Sequence, residues 1–291
     1  MKEKAIACLI YDFDKTLSPR DMQEYGFLPG LNITPDVFWE ECRIFAIEHQ
    51  VDPVLAYMYK MQEKAHGSMR LTRSALAALG AQVEFFPGVE SWFDRVNAYG
   101  AAIGLAVEHY IISSGLKEII EGSRVARHFK EIFAASFVFG ADETPLWPAT
   151  AVNYTSKTQH LFRINKGILD ITNHNDLNDY TPENWRRIPF PNMIYLGDGL
   201  TDVPSMKMVR SKGGISIMVH PPGELALGDD MLLQRRVDFS VTADYSKDGG
   251  LEAIVFALLR KIMASDECVR LHNTHIDAAL SRRPAGPFYA D

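Results

Sequence analysis

The sequence predicts an α/β protein in which a Rossmann-like, mostly parallel sheet is covered by helices and carries an inserted α-helical cap domain. Short apolar runs alternate with amphipathic segments along most of the chain. The first of these runs ends in two aspartates, and one long helical block interrupts the alternation. Alternating strands and helices with short connections are typical of a parallel sheet.

The composition is that of a soluble globular protein, with 291 residues, 47% hydrophobic and 23% charged. A net charge of -7 argues against nonspecific nucleic-acid binding, which needs a basic surface. No apolar stretch approaches the roughly 20 residues that span a bilayer, and the chain reaches its first strand too early for a signal peptide. Three scattered cysteines indicate reduced thiols. We therefore expect a cytoplasmic protein without nucleic-acid or membrane partners, and no motif indicates its oligomeric state.

The first element is an apolar run over residues 5–11, too short for a core helix, which predicts a strand buried on both faces. Asp12 and Asp14 follow it directly. The ordinary interpretation is a polar turn. The alternative is a bound cation and a charged substrate, because α/β folds bind ligands at the carboxyl ends of parallel strands.

The second element is the block 20–80, which contains no convincing strand and places its apolar residues at helical spacing. We interpret it as a cap inserted after the first strand. The predicted domains are therefore a core of residues 1–19 and 81–265, a helical cap of residues 20–80 and an irregular C-terminal tail of residues 266–291.

The remaining elements alternate between strands and helices, with a polar surface excursion at 170–191. A loop rich in Pro and Thr follows the third strand, and a strand-like stretch at 151–154 precedes a helix. The predicted strands are 107–113, 133–140, 192–199, 214–219 and 237–243. The segment 85–100 is predicted to be a turn followed by an amphipathic helix, and the other predicted helices are 116–129, 157–169, 203–213 and 249–263.

Polar groups follow two of these strands. Ser113, Ser114 and Gly115 lie where a helix is expected to begin, and hydroxyls with free N–H groups at a helix N-terminus form an anion site. Lys157 lies in the first turn of a helix, where the helix dipole disfavours a cation. This mismatch indicates a nearby anion, although surface lysines in first turns are common.

The strand at 192–199 repeats the opening design, because Asp198 lies between two glycines and Asp202 follows. Each signal alone is weak. Together, strand-end carboxylates, hydroxyls and a lysine supply what phosphoryl transfer through an aspartyl-phosphate requires, namely a nucleophile, a proton donor, a metal site and phosphate ligands.

In this order the stretches DFDKT at 12–16, the apolar run into Ser113, Lys157, and GDGLTD at 197–202 resemble the four motifs of the haloacid dehalogenase (HAD) superfamily. The position of the cap is similar to that of the phosphoserine-phosphatase-like branch. Cytosolic pyrimidine nucleotidases are similar in motif and in cap position. The resemblance implies a Mg²⁺-dependent phosphatase, a phosphoric monoester hydrolase acting on a small phosphorylated metabolite through an aspartyl-phosphate.

The resemblance also implies roles for single residues. Asp12 would be the nucleophile and Asp14 the general acid and then the general base. Ser113, with Ser114 and Gly115 beside it, would bind the phosphate, and Lys157 would neutralise it.

The implied metal ligands are a carboxylate oxygen of Asp12, the backbone carbonyl of Asp14 and the carboxylate of Asp198. Asp202 would orient waters or Asp198 from behind. An oxygen-only ligand set suits Mg²⁺.

Several alternatives stay open. Ser114 can replace Ser113, because only register separates them, and Lys166 can replace Lys157 later in the same helix. A phosphotransferase or phosphomutase, or a non-catalytic regulatory protein, would share the fold. A dehalogenase is disfavoured, because members of that class lack an aspartate at the position of Asp14.

Four further points concern residues outside the motifs. His109 is expected to be a hydrogen-bonded core imidazole. Helical spacing favours a place in the core of the cap for Phe38, Trp39, Phe45, Tyr57 and Met61, and Arg43, Arg70 and Arg73 are expected on exposed helix faces. Asp21 occupies the region in which phosphoserine phosphatases contact the substrate amine, but its surroundings do not follow that pattern, so serine-phosphate specificity is not inferred.

Overall fold

The protein is described here from a computed structural model that covers residues 5–282. Within this range the chain forms one seven-stranded sheet in the order β4-β3-β2-β1-β5-β6-β7, parallel except for β4. The strands are β1 (Ile6–Tyr11), β2 (Ala106–Leu116), β3 (Phe129–Phe139), β4 (Pro145–Thr150), β5 (Met193–Gly197), β6 (Ile215–His220) and β7 (Phe239–Thr242). The predicted fold class is therefore confirmed.

Helices cover both faces of the sheet. They are α1 (Phe27–Gly30), α2 (Pro35–His49), α3 (Pro53–Ala65), α4 (Arg73–Gly80), α5 (Val89–Ala102), α6 (Lys117–Glu121), α7 (Lys157–Lys166), α8 (Asn175–Asn178), α9 (Val203–Ser211), α10 (Ala226–Leu233) and α11 (Gly250–Ser281). None of the helices between residues 5 and 282 combines the length and the apolar character needed to cross a bilayer.

β1 lies at the centre of the sheet and determines where the other strands end. Tyr11 pairs with Ile111 on one side and with Leu196 on the other. The carboxyl ends of β1, β2 and β5 consequently meet at one edge. Any polar groups that follow these three strands are thereby brought together.

Both faces of β1 are buried, as its unbroken apolar run predicts. Leu9 and Tyr11 belong to a hydrophobic cluster on one face, and Cys8 and Ile10 to a second cluster on the other. The first cluster extends into α1, α2 and α3, so part of the block 20–80 shares its hydrophobic core with the sheet. α4 packs against α6 beside β2 and β3.

Two short predicted features are wrong for local reasons. The loop rich in Pro and Thr contains β4, and its prolines are tolerated because β4 is an antiparallel edge strand. Residues 151–154 are not a strand. Asn153 and Ser156 exchange side-chain hydrogen bonds with each other's backbone N–H, which gives this backbone a turn in place of a ladder.

The helices also differ from expectation in three places. The helix predicted at 116–129 is shorter, with α6 ending at Glu121, and α10 was not predicted. The expected irregular tail is wrong over residues 266–281, which continue α11. That stretch is solvent-exposed, and its few large apolar residues, Val269, Leu271, Ile276 and Leu280, are too sparse to form the continuous stripe by which helices are recognised. The rest of the predicted tail, residues 283–291, lies outside the described residues.

A buried chain of hydrogen bonds runs beneath β1. Trp92 Nε1 lies 2.9 Å from the Tyr11 hydroxyl, which lies 3.0 Å from His109 Nδ1, and His109 Nε2 lies 3.1 Å from Asn97 Oδ1. Because the Asn97 Oδ1 atom can only accept, His109 Nε2–H donates to it, and Nδ1 of the neutral imidazole then accepts from the Tyr11 hydroxyl, which in turn accepts from the Trp92 indole N–H. The prediction that His109 is a hydrogen-bonded core residue is confirmed.

This chain predicts a pH dependence of stability. Burial, with a smaller contribution from His128, lowers the pKa of His109 to about 3. Between pH 6.5 and 3 the unfolded state therefore binds a proton that the folded state does not, and stability falls as the pH falls through this range. We expect His109→Gln to reduce the slope of unfolding free energy against pH by up to about 1.4 kcal/mol per pH unit.

Urea unfolding at pH 7, 6 and 5 measures this slope, and His66→Gln, which changes an exposed histidine, is the matched control. Equal slopes for the wild type and His109→Gln would contradict a neutral buried imidazole. A loss of stability that is equal at all three pH values is due to the lost contacts of the His109 side chain and not to its protonation.

Candidate active site

The edge formed by β1, β2 and β5 gathers most of the residues singled out in the sequence. Asp12 follows β1, Ser113 to Gly115 lie near the end of β2, and Asp198 follows β5. Lys157 begins α7, and Asp202 directly precedes α9.

Lys157 is fully buried, and its ammonium lies between two carboxylates. Nζ is 3.0 Å from Asp12 Oδ2 and 2.8 Å from Asp202 Oδ1, which also accepts a 2.7 Å hydrogen bond from the Tyr195 hydroxyl. Burial alone would lower the lysine pKa, but the Asp12 and Asp202 charges raise it above its usual value. Lys157 therefore stays charged while buried.

The alternative lysine lies elsewhere. Lys166 Nζ donates to the carbonyls of Leu177 and Asp179, at 2.6 and 2.5 Å, and so holds the polar excursion against α7. This is the structural use that its place near the end of the helix allows.

The turn after β1 separates the two leading carboxylates. The Phe13 carbonyl accepts hydrogen bonds from the N–H groups of Thr16 and Leu17, and Lys15 has a left-handed backbone with φ 58°. Asp12 Oδ1 accepts a 2.8 Å bond from the Phe13 N–H. Asp14 Oδ1 accepts a 2.9 Å bond from the Met22 N–H. The two carboxylates consequently have different partners.

Their environments also differ electrostatically. Burial raises the pKa of Asp12 to about 6, against the opposing charge of Lys157. Burial, together with the charges of Asp21 and Asp12, raises the pKa of Asp14 well above its usual value. Asp12 has a cation in contact and Asp14 does not, which favours ionisation of the first carboxyl and protonation of the second.

The end of β2 supplies hydroxyl and backbone groups. The sequence predicts a helix N-terminus at Ser113 to Gly115, and that prediction is wrong. β2 continues to Leu116 with an irregular register, and the helix that follows has only five residues. Ser113 Oγ accepts a 3.0 Å bond from the Gly115 N–H, which leaves its own proton free to donate. Ser114 Oγ is buried without a hydrogen-bond partner among residues 5–282. Both residues line the same cavity.

A Cβ atom at Gly115 would lie 2.0 Å from Met22 Cε and 3.0 Å from Asp14 Oδ2, so any other residue there requires a neighbouring side chain to move. Gly197 is under the same constraint, because an added Cβ would lie 2.4 Å from Asp202 Oδ2. These two glycines let side-chain groups of the site approach the backbone closely.

Three carboxylates lie close enough together to hold a divalent cation. Asp12, Asp198 and Asp202 each offer an oxygen, and these oxygens lie within 4.8 Å of one another. Asp202 Oδ2 is buried without a protein partner in the described range. Burial, with the charges of Asp202 and Asp12, raises the pKa of Asp198 to about 8. Three ionised carboxylates carry more negative charge than the Lys157 ammonium neutralises. An all-oxygen cluster with this excess of negative charge suits Mg²⁺.

The site opens into a cavity of about 510 Å³ between the sheet edge and the helices α2 and α3. Trp39 and Tyr57 line it, so the expectation that they belong only to the core of the cap is incomplete. Arg43 lines it too, although its guanidinium pairs with Glu40. Gln23 also lines the cavity and was missed, because no motif marks it.

Comparisons with known structures identify the fold. A HAD family hydrolase from Salmonella enterica serovar Typhi superposes with a TM-score of 0.51 at 16% identity, over 81% of this chain and 68% of that one. A substrate-bound phosphoserine phosphatase gives a TM-score of 0.52 at 13% identity, over 82% and 94%. A probable phosphoserine phosphatase from Vibrio cholerae gives 0.55 at 11% identity, over 90% and 67%. The predicted HAD-like fold is thereby confirmed.

Sequence comparison adds one relative of unknown activity. An uncharacterized protein of Borreliella burgdorferi is 27% identical over 284 residues, which are 83% of this chain and 92% of the relative. No family model matches the chain.

The geometry predicts that Lys157 is needed for stability as well as for charge. Lys157→Met would leave Asp12 and Asp202 buried without their cation, and removing one partner of a buried ion pair costs about 3–5 kcal/mol. We expect a loss of this size in the free energy of unfolding at neutral pH without added metal, measured by urea unfolding.

Lys166→Met is the matched control, since it removes a lysine from the same helix at a place where the ammonium contacts carbonyls and not carboxylates. Its effect should be smaller. Equal losses for the two variants would argue against a special electrostatic role for Lys157.

Proposed function

We propose that the protein is a Mg²⁺-dependent phosphatase that hydrolyses a small phosphorylated metabolite through an aspartyl-phosphate on Asp12. One observation carries the proposal: the carboxylates of Asp12 and Asp14 follow one strand but have different partners, a buried ammonium for the first and a backbone N–H for the second. Such a pair can divide the work of nucleophile and proton donor.

In the first half of the reaction, an ionised Asp12 oxygen attacks phosphorus. A bond forms between that oxygen and phosphorus, and the bond from phosphorus to the leaving alcohol breaks. Asp14 gives its proton to the leaving oxygen. The raised pKa of Asp14, caused by burial and by the Asp21 and Asp12 charges, supports its holding this proton.

In the second half, a water molecule attacks the phosphorus of the aspartyl-phosphate. Asp14 is by then a carboxylate and takes a proton from this water. The bond between phosphorus and Asp12 breaks, which restores the Asp12 carboxylate and releases inorganic phosphate.

The transferring phosphoryl group needs donors and positive charge. The candidates are the hydroxyls of Ser113 and Ser114, two residues that line the cavity, and the Lys157 ammonium, which contacts Asp12. Fixed donors of this kind stabilise charge on phosphoryl oxygens without reorganisation.

Asp12 and Asp198 would hold Mg²⁺ through carboxylate oxygens, and Asp14 through its backbone carbonyl, while Asp202 would orient this set. When bound, Mg²⁺ supplies positive charge that neutralises phosphoryl oxygens. The fold similarity to phosphoserine phosphatases supports phosphatase chemistry, while the substrate is left open.

The proposal predicts that phosphate release depends on Asp12 and on Mg²⁺. Hydrolysis of p-nitrophenyl phosphate should stop with EDTA and return with added Mg²⁺. Asp12→Asn should lose activity by several orders of magnitude, because removing a catalytic nucleophile costs roughly 10⁶-fold in well-studied hydrolases. Asp36→Asn, an exposed aspartate on α2, is the control. Near-native turnover by Asp12→Asn would rule out the covalent route.

A second prediction separates Asp14 from Asp12. An alkyl phosphate has a strongly basic leaving oxygen, so Asp14→Asn should slow its cleavage by about 10²–10⁴-fold. Transfer from p-nitrophenyl phosphate, whose leaving group needs no proton, should slow less. The aspartyl-phosphate should also persist, because its hydrolysis lacks a base.

Rapid quenching with ³²P-labelled substrates measures both effects. Equal losses of transfer rate for the two substrates, with no labelled protein trapped, would remove Asp14 from the acid–base role. Circular dichroism of Asp14→Asn controls for misfolding.

A further inference from the structure

Gln23 is a buried polar side chain that the fold does not use. It is 1% exposed and lines the cavity above Asp12 and Asp14. Its Oε1 atom has no hydrogen-bond partner within residues 5–282. Leaving a buried polar group unpaired costs about 1–3 kcal/mol. The Gln23 carboxamide therefore keeps an unused acceptor beside the cavity.

The backbone around Gln23 is held firmly. The preceding residue, Met22, donates its N–H to Asp14 Oδ1, and its side chain packs beneath Gly115. The N–H of Glu24 donates to the Asp21 carbonyl at 2.9 Å. Gln23 thus stands at a fixed place beside the proposed proton donor, where the leaving group of a phosphomonoester would lie.

The cap side of the cavity is largely apolar. Trp39, Val54 and Tyr57 line it, with Ala46 and Ile47 on the same helix as Trp39. Trp39 and Tyr57 meet edge to face, with ring centroids 6.0 Å apart. This wall suits an apolar or aromatic group.

The charged side chains that face this wall already have partners. Lys15 pairs with Asp21 at 2.8 Å, and Arg43 forms a two-bond pair with Glu40 at 2.6 and 2.7 Å. A substrate amine would have to displace Lys15 from Asp21, and a substrate carboxylate would have to displace Asp21 or Glu40 from its cation. A charged leaving group would therefore compete with existing pairs for its counterion.

We propose that Gln23 determines specificity, and that the substrate is a phosphomonoester of an uncharged alcohol that carries an apolar or aromatic part and one hydrogen-bonding group read by the Gln23 carboxamide. The hydrolysis of such a substrate rests on the proposed function, but its binding beside Gln23 does not. The amide offers both a donor and an acceptor, so a hydroxyl or an amide on the substrate can satisfy it.

The first experiment compares kcat/KM for benzyl phosphate, its 2-, 3- and 4-hydroxy derivatives, phosphoserine and 3-phosphoglycerate, with Mg²⁺. The wild type should favour the best hydroxybenzyl phosphate over benzyl phosphate by about tenfold, which is the value of one hydrogen bond of about 1.4 kcal/mol. Both charged substrates should be poorer still. Gln23→Leu should bring the hydroxybenzyl preference close to one.

Gln62→Leu is the matched control, since Gln62 lies on α3 and donates to the Pro145 carbonyl, away from the lining of this cavity. It should keep the wild-type preference. Gln23→Glu tests the identity of the group, because a carboxylate of the same size can only accept when ionised.

The second experiment measures Kd by calorimetry for benzylphosphonate and its hydroxy derivatives, which cannot be hydrolysed. If the wild type binds the hydroxy derivatives more tightly and Gln23→Leu does not, the role of Gln23 is supported. If this result is found but no phosphate ester is cleaved, only the proposed function fails. Turnover with no hydroxyl preference, a preference unchanged in Gln23→Leu, or a preference for phosphoserine or 3-phosphoglycerate would overturn the inference while leaving the phosphatase intact. Absence of both phosphonate binding and turnover would overturn both.

Discussion

The buried ammonium of Lys157 holds together groups that would otherwise repel one another. Asp12, Asp198 and Asp202 bring three carboxylate oxygens within 4.8 Å, and burial strengthens the repulsion between them. Lys157 contacts two of the three, and Tyr195 donates to the oxygen of Asp202 that Lys157 also contacts. β1, α7 and the turn before α9 are thus joined at one point, and the relative positions of the sheet edge and two helices depend on it.

Much of the architecture could be predicted from the sequence, because burial imposes a recognisable spacing on apolar residues. An apolar run flanked by polar residues identifies β1 and β5, and helical spacing identifies α2, α3 and α5. β4 could not be predicted, because prolines are tolerated in a strand only at the edge of a sheet, and the sequence does not show that β4 lies there. The end of α11 was missed for the opposite reason, since a solvent-exposed helix needs no apolar stripe.

The residues around the site also fall into those that the sequence singled out and those that it did not. Asp12, Asp14, Lys157 and Asp198 were singled out because charged residues at strand ends and in a first helix turn are hard to explain otherwise. Residues of α2 and α3 that line the cavity carry no such mark. Tyr57 has helical spacing whether it packs in a core or lines a cavity, and in this protein it does both, with its hydroxyl donating to the Ser114 carbonyl at 2.7 Å. Burial without a partner becomes visible only in three dimensions.

The central position of β1 has a consequence for how the chain is made. Ile6 pairs with Ala106, and Cys8 pairs with Met193, so β1 is synthesised well before the strands with which it pairs. Such distant pairings form late in folding and leave strand edges open to other chains. The run IACLIY, high in β propensity, is bounded in the sequence by Lys2, Glu3 and Lys4 on one side and by Asp12 and Asp14 on the other. Charges in these positions oppose aggregation, so the carboxylates of the site also protect the unfinished chain.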